Sequence, residues 1–128
     1  AKEDLRNLTN ALIEILDLTY DSFSTNDVEK ASSVEPLEQV IDRLVAEVKT
    51  SHISRLQTGE CTIEMGFVLS DLLNNYERVS DHCSNIAVTM IEVEQGSYDT
   101  HSYLNSVKDM SDEGFNNEYR KYKNKYLS

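Results

Sequence analysis

Between residues 65 and 93, apolar side chains return in steps of four and three: Met65, Leu69, Leu72, Tyr76, Val79, Cys83, Ile86, Met90 and Val93. A helix of 3.6 residues per turn gathers such positions onto one face. A stripe of that length demands a partner with a matching stripe, and two earlier segments supply one. Leu5, Leu8, Leu12, Ile15 and Thr19 mark a helix over about residues 3–21. Leu37, Val40/Ile41, Leu44 and Val48 mark a second, from about residue 27 to 58. Pro36 interrupts the second helix, which therefore kinks or restarts with proline in its first turn. The polar run 22–26, rich in N-cap residue types, separates the first helix from the second, and Gly59 closes the second as a C-cap. The third helix ends near Gln95 and Gly96.

Composition agrees with this reading. Four glycines and one proline in 128 residues are too few for a sandwich or barrel, which turns every 8–12 residues or so. The expected fold is all-α, an antiparallel up-down-up three-helix bundle over residues 1–98 with a short C-terminal helical tail over 99–128. The long stripe also suits a coiled-coil dimer, but three matching stripes in one chain satisfy each other. The tail begins near Thr100, with Gly114 as a break, and its last piece sets Phe115, Tyr119, Tyr122 and Tyr126 on one face. Those rings are expected to pack on the bundle or on a partner subunit, leaving Arg120, Lys121, Lys123 and Lys125 to face the acidic body.

Twelve Lys and Arg stand against 23 Asp and Glu, for a net charge of −11. Nucleic acid is a poor ligand for such a surface, because phosphate contacts need a basic face; cations and cationic partners suit it. No apolar run approaches the roughly 18 residues of a membrane span, and no signal-peptide pattern opens the chain. Beginning at Ala1, the chain is expected to be a domain of something longer. Cys61 and Cys83 lie far apart outside any metal-type spacing and read as reduced thiols.

Several catalytic signatures are missing: no Gly-rich phosphate loop, HExxH, GxSxG or Glu-x-x-His pair occurs. His52, His82 and His101 are scattered. His82 and Cys83 are adjacent and point about 100° apart on a helix, so they do not form a nucleophile pair. Two Glu-x-x-x-Asp elements do stand out, Glu38 with Asp42 and Glu77 with Asp81. Each places two carboxylates about 6 Å apart on one helix face, mildly against its own stability. A hairpin turn centred between Gly59 and Glu60 sets Glu38 level with Asp81 and Asp42 level with Glu77, roughly 26–32 Å from the turn. Four carboxylates at the rim of a hairpin form a hard-oxygen site for Mg²⁺, Mn²⁺ or ferric iron rather than zinc or copper. His82 and Asn85 are expected as outer partners. In the alternative, the pairs splay into solvent or bind Arg43 and Arg78, and the domain is a metal-free bundle that holds a basic partner. A metal-dependent hydrolase ranks lowest, since neither a general base nor a substrate pocket is legible.

The stretch Tyr76-Glu77-Arg78-Val79-Ser80-Asp81-His82-Cys83-Ser84-Asn85-Ile86-Ala87 resembles the signature of PhoU domains, and the Glu38–Asp42 element resembles its companion motif one helix earlier. His52-Ile-Ser-Arg-Leu-Gln-Thr-Gly-Glu-Cys, then Glu64-Met-Gly-Phe-Val-Leu-Ser-Asp-Leu-Leu, is similar to the cytosolic C-terminal PhoU-like domain of the bacterial sodium/phosphate cotransporter II-related family. Members of that group also tend to end in an aromatic, Lys-rich tail. The resemblance implies a three-helix PhoU unit with metal bound by both Glu-x-x-x-Asp motifs. It further implies a non-enzymatic role in phosphate uptake or its regulation, on the cytoplasmic side of the membrane. The implied partners are the transporter's membrane domain in the same longer chain, a second copy in a homodimer, and phosphate bridged by the metal.

Overall fold

Helix ends in this chain are set by a few polar side chains and two left-handed residues. The computed structural model describes residues 2–94 and 113–127. They form α1 (Lys2–Thr25), the single-turn α2 (Val28–Ala31), α3 (Val34–Gln57), α4 (Ile63–Glu94) and α5 (Glu113–Tyr126), with no strand among the described residues. The expected helix end at Gln95 and Gly96, the boundary at 98/99, the tail's start near Thr100, and His101 lie outside them.

The expected break over 22–26 is instead the last turn of α1. Thr19, Ser22 and Thr25 donate their hydroxyls to the carbonyls of Ile15, Leu18 and Asp21 at 2.6–2.7 Å, which satisfies these groups without leaving the helix. The chain stops only at Asn26, at φ 52°, a left-handed conformation that asparagine tolerates. Asp27 then caps α2, its side chain accepting from the Lys30 amide at 3.0 Å. Pro36 marks a restart rather than a kink: it is the third residue of α3, where a missing N–H costs no intrahelical bond. Gly59, at φ 77°, follows α3 as expected. The Glu60 amide bonds the Arg55 carbonyl at 2.9 Å and the Gly59 amide bonds that of Leu56 at 3.3 Å, so the last carbonyls of α3 are paired.

The core joins Leu8, Leu12 and Ile15 of α1 to Leu37, Val40, Ile41, Leu44 and Val48 of α3 and to Leu73, Cys83, Ala87 and Ile91 of α4. On α4 the buried face is rotated from the expected stripe. Met65, Ile86 and Val93 are 59%, 43% and 52% exposed, while Gly66, Leu73, Ser80, Ser84, Ala87 and Val88 are buried. A straight helix drifts about 20° per heptad from a seven-residue stripe. Among the small residues, Gly66 lies where a Cβ would meet the His52 ring at 3.2 Å, and an apolar count passes over such positions.

Helices α3 and α4 run antiparallel: Glu35 near the start of α3 meets Ser84 late in α4, and His52 near the end of α3 packs on Gly66 early in α4. Helix α5 lies against α3 and α1. It buries Tyr122 and Tyr126, takes a 3.1 Å hydrogen bond from Arg43 to the Tyr119 hydroxyl, and joins Lys125 to Glu14 at 2.6 Å.

Candidate metal centre

The antiparallel pairing of α3 with α4 decides which carboxylates meet. Glu38 and Asp42, one turn apart on α3, face Asp81 on α4, and one carboxylate oxygen of each lies within 4.8 Å of the others. Glu38 is buried, at 7% exposure, whereas Asp42 and Asp81 are exposed. The site is therefore a small mouth with one carboxyl at its floor, not four carboxylates on a rim. Glu38 sinks because its neighbours Leu37 and Ile41 are fully buried.

Glu77 is the expected member that the structure does not bring into the cluster. Its carboxylate pairs with Lys49 one helix away, Nζ to Oε2 at 3.7 Å, though its charge still reaches Asp42. Arg43 and Arg78, the alternative partners, do not neutralise the cluster either. Arg43 turns to Tyr119 on α5, and Arg78 is exposed. His82 and Asn85, the expected outer partners, line an apolar groove with Phe23, Ile86, Met90 and Val93. Cys83 is buried, hydrogen-bonds with Thr19, and has its thiol pushed up by burial, which is the state of an inert thiol.

Glu35 and Ser84, to which the sequence assigns no role, adjoin the site. Glu35, 8% exposed, accepts a hydrogen bond from the Ser84 hydroxyl across the interface, and it sits within hydrogen-bonding reach of Gln39 and Glu38. The register that pairs Glu38 with Asp81 also pairs Glu35 with Ser84, so that signal was present. A further buried hydroxyl, Ser80 Oγ between Glu77 and Asp81 in sequence, has no hydrogen-bond partner.

The electrostatics follow from this crowding. Burial, then the hydrogen bond with Asp42 and the charges of Glu35 and Asp42, push Glu38 up to about 10. Burial also raises Glu35 against the pull of its bonds to Ser84 and Gln39. Asp42 is raised by burial and by the charges of Asp81 and Glu77. The ion pairs formed among the described residues are Lys49–Glu77 and Lys125–Glu14, and neither reaches Glu38. A buried carboxyl pushed up by its carboxylate neighbours, beside two exposed carboxylates and with oxygen as the only donor type, fits a hard metal ion.

Over residues 5–90 the chain matches the PhoU domain. It is also similar to the phosphate-specific transport system accessory protein PhoU homolog 1 of Thermotoga maritima, at 22% identity over 94 residues. Those residues are 73% of this chain and 40% of the relative, so the match spans about two fifths of the relative's length. No solved structure matches the chain.

Proposed function

The chain belongs to the PhoU domain family, and we propose that it is a non-enzymatic regulatory domain that binds a hard cation at the α3–α4 interface and modulates phosphate uptake. The observation that carries the cation is the convergence of Glu38, Asp42 and Asp81 within 4.8 Å around a carboxyl that burial, the hydrogen bond with Asp42 and the neighbouring carboxylates push up. In this reading α1, α3 and α4 are the up-down-up unit of the family and α5 is its tail. Two features support that order: Thr9 of α1 meets Tyr76 of α4 at 3.0 Å, and Thr19 meets Cys83 further along both helices.

A bound ion would supply positive charge to a cluster that neither ion pair among the described residues reaches. The protein's own residues do the rest. Glu38 gives up its proton, Asp42 and Asp81 cease to repel it, and α3 is tied to α4 at one level. That tie favours one arrangement of the hairpin over looser ones, and any surface sensitive to the hairpin's arrangement is biased with it. The domain we have in mind belongs to a sodium-dependent phosphate transporter and sits on the cytoplasmic side, joined to the membrane part of the same longer chain. No described helix is long and apolar enough to cross a membrane. Phosphate reaches this acidic surface only when bridged by the ion, and a second copy is the further partner.

A metal-free bundle that holds a basic partner is the second reading, favoured by one observation: Glu77 already takes an ammonium group, that of Lys49. Thermal unfolding of wild type and of the Asp42→Asn/Asp81→Asn double variant, each with and without Mn²⁺ or Mg²⁺, separates the two. The expected result is a melting temperature that rises with the ion in wild type only, by about 2.7 kcal/mol of added stability at a hundredfold excess over Kd. If neither ion raises it, the cation is abandoned and the interaction bundle remains.

A further inference from the structure

We propose that Ser84 and Glu35 form a positioning pair for the cation site: their hydrogen bond across the α3–α4 interface holds the Glu35 carboxylate where it aims the Glu38 carboxyl at Asp42 and Asp81. This rests on the cation reading above and assigns the part of the protein that organises that site.

Glu35 and Glu38 are three residues apart on α3, and Asp81 and Ser84 are three apart on α4. Each pair is therefore stacked on one face of its helix, about 5–6 Å between Cβ atoms. Antiparallel packing sets the two stacks opposite each other. Ser84 donates to Glu35, Glu35 is within hydrogen-bonding reach of Glu38, and Glu38 bonds both Asp42 and Asp81. The path leaves α4 at Ser84 and returns to it at Asp81. Its first three members are 9%, 8% and 7% exposed, so water does not compete for these bonds as it does at the mouth.

A glutamate needs such support more than an aspartate does. Glu38 carries one more rotatable bond than Asp42 or Asp81, so more conformations must be excluded to hold its carboxyl at one place. Side chains that hydrogen-bond a ligating carboxylate fix its orientation, and their loss commonly costs 10–100-fold in metal affinity. Ser84 suits the task through its size: the short side chain lets the helices approach while keeping a donor at the seam. Glu35 does not converge with the three carboxylates that share one centre, which places it behind Glu38 rather than beside the ion.

Mn²⁺ titration by calorimetry, with the spin-resonance signal of the free ion as a second readout, tests the assignment on wild type, S84A, E35A, E35Q and D81N. S84A and E35A are expected to weaken Mn²⁺ binding 10–100-fold while unfolding cooperatively without metal. E35Q, which keeps a carbonyl oxygen for Ser84 and a polar group for Glu38, is expected within about threefold of wild type. If S84A and E35A bind Mn²⁺ like wild type, the hydrogen bond is an interhelical tether and the inference is overturned. If E35Q is as weak as E35A, Glu35 is itself a ligand and the positioning role is equally overturned. A wild type that binds no Mn²⁺, or a D81N that binds it equally well, removes the cation site itself and the pair with it.

Discussion

Glu14 and Glu38 are the same amino acid in two interfaces of one small bundle, and the fold treats them oppositely. Glu14, where α1 meets α5, receives Lys125 and the Tyr126 hydroxyl. Burial alone would raise its carboxyl, but those two bonds and the nearby charges of Lys125 and Lys121 outweigh burial and hold it below the ordinary range. Glu38, where α3 meets α4, receives other carboxylates, and every contribution drives it upward. The α5 interface is thus complete within the chain. The α3–α4 interface is packed too, but among the described residues neither ion pair reaches the carboxyl groups gathered at Glu38, Asp42 and Asp81. An interface of the first kind holds a fold together; the second kind is where we propose that a cation binds.

The contrast breaks first if α5 is a loose appendage. Tyr122 is 3% exposed and belongs to the common core. Replacing a buried aromatic with alanine costs about 3–5 kcal/mol, so Tyr122→Ala should lower the denaturation midpoint by far more than any carboxylate change. A loss below about 1 kcal/mol in urea unfolding would mean that α5 packs without stabilising.

Much of this was legible from residue numbers alone. The turn between Gly59 and Glu60 gives the level of Asp81 opposite Glu38, because helical rise is constant and the hairpin is tight. Rotation about the helix axis was harder to read. The stripe from Met65 to Val93 follows large apolar side chains, whereas α4 buries Gly66, Ser80, Ser84 and Ala87, whose value is the close approach they permit. That same blindness to small residues hid Ser84 and, through it, Glu35. Glu77 was assigned to the cluster by level, but level does not reveal that Lys49 competes for it. The polar run at 22–26 misled because serine and threonine hydroxyls cap helices in one setting and fold back onto a helix's own carbonyls in another.

The next test bears on the unmatched carboxyl. In the unfolded chain Glu38 titrates near its ordinary 4.5, and in the metal-free fold it is pushed up to about 10. The folded state therefore holds more protons than the unfolded state between those values, and its stability falls as pH rises through that window. Metal-free wild type should be most stable at mildly acidic pH. Glu38→Gln keeps the hydrogen-bonding capacity and removes the titration, so at pH 8 it should stabilise the metal-free protein by about 1–3 kcal/mol. Well below pH 4.5, where the acid is neutral in both states, the gap between the two proteins should stop changing with pH. A wild-type melting temperature flat from pH 5 to 9 would show that the carboxyl is already matched from within.

The smallest effect belongs to the matched carboxyl, and its sign in pH is reversed. Because Glu14 titrates lower in the fold than its ordinary 4.5, the unfolded chain takes up protons first as pH falls. The stability it contributes is fully present at neutral pH and is lost as pH drops below 4.5 through the folded value. Tyr126→Phe deletes one donor to this partly buried carboxylate while preserving the ring in the core. At pH 7 the cost should be about 1 kcal/mol, the net worth of one such hydrogen bond, discounted because Glu14 keeps Lys125 and some contact with water. Below pH 4 the protonated carboxyl no longer distinguishes the two proteins by charge, so the difference between their melting temperatures should narrow. Glu38→Gln and Tyr126→Phe would then diverge from wild type on opposite sides, both increasingly so with pH. Divergence on the same side would mean that the two interfaces do not differ in the way their partners imply.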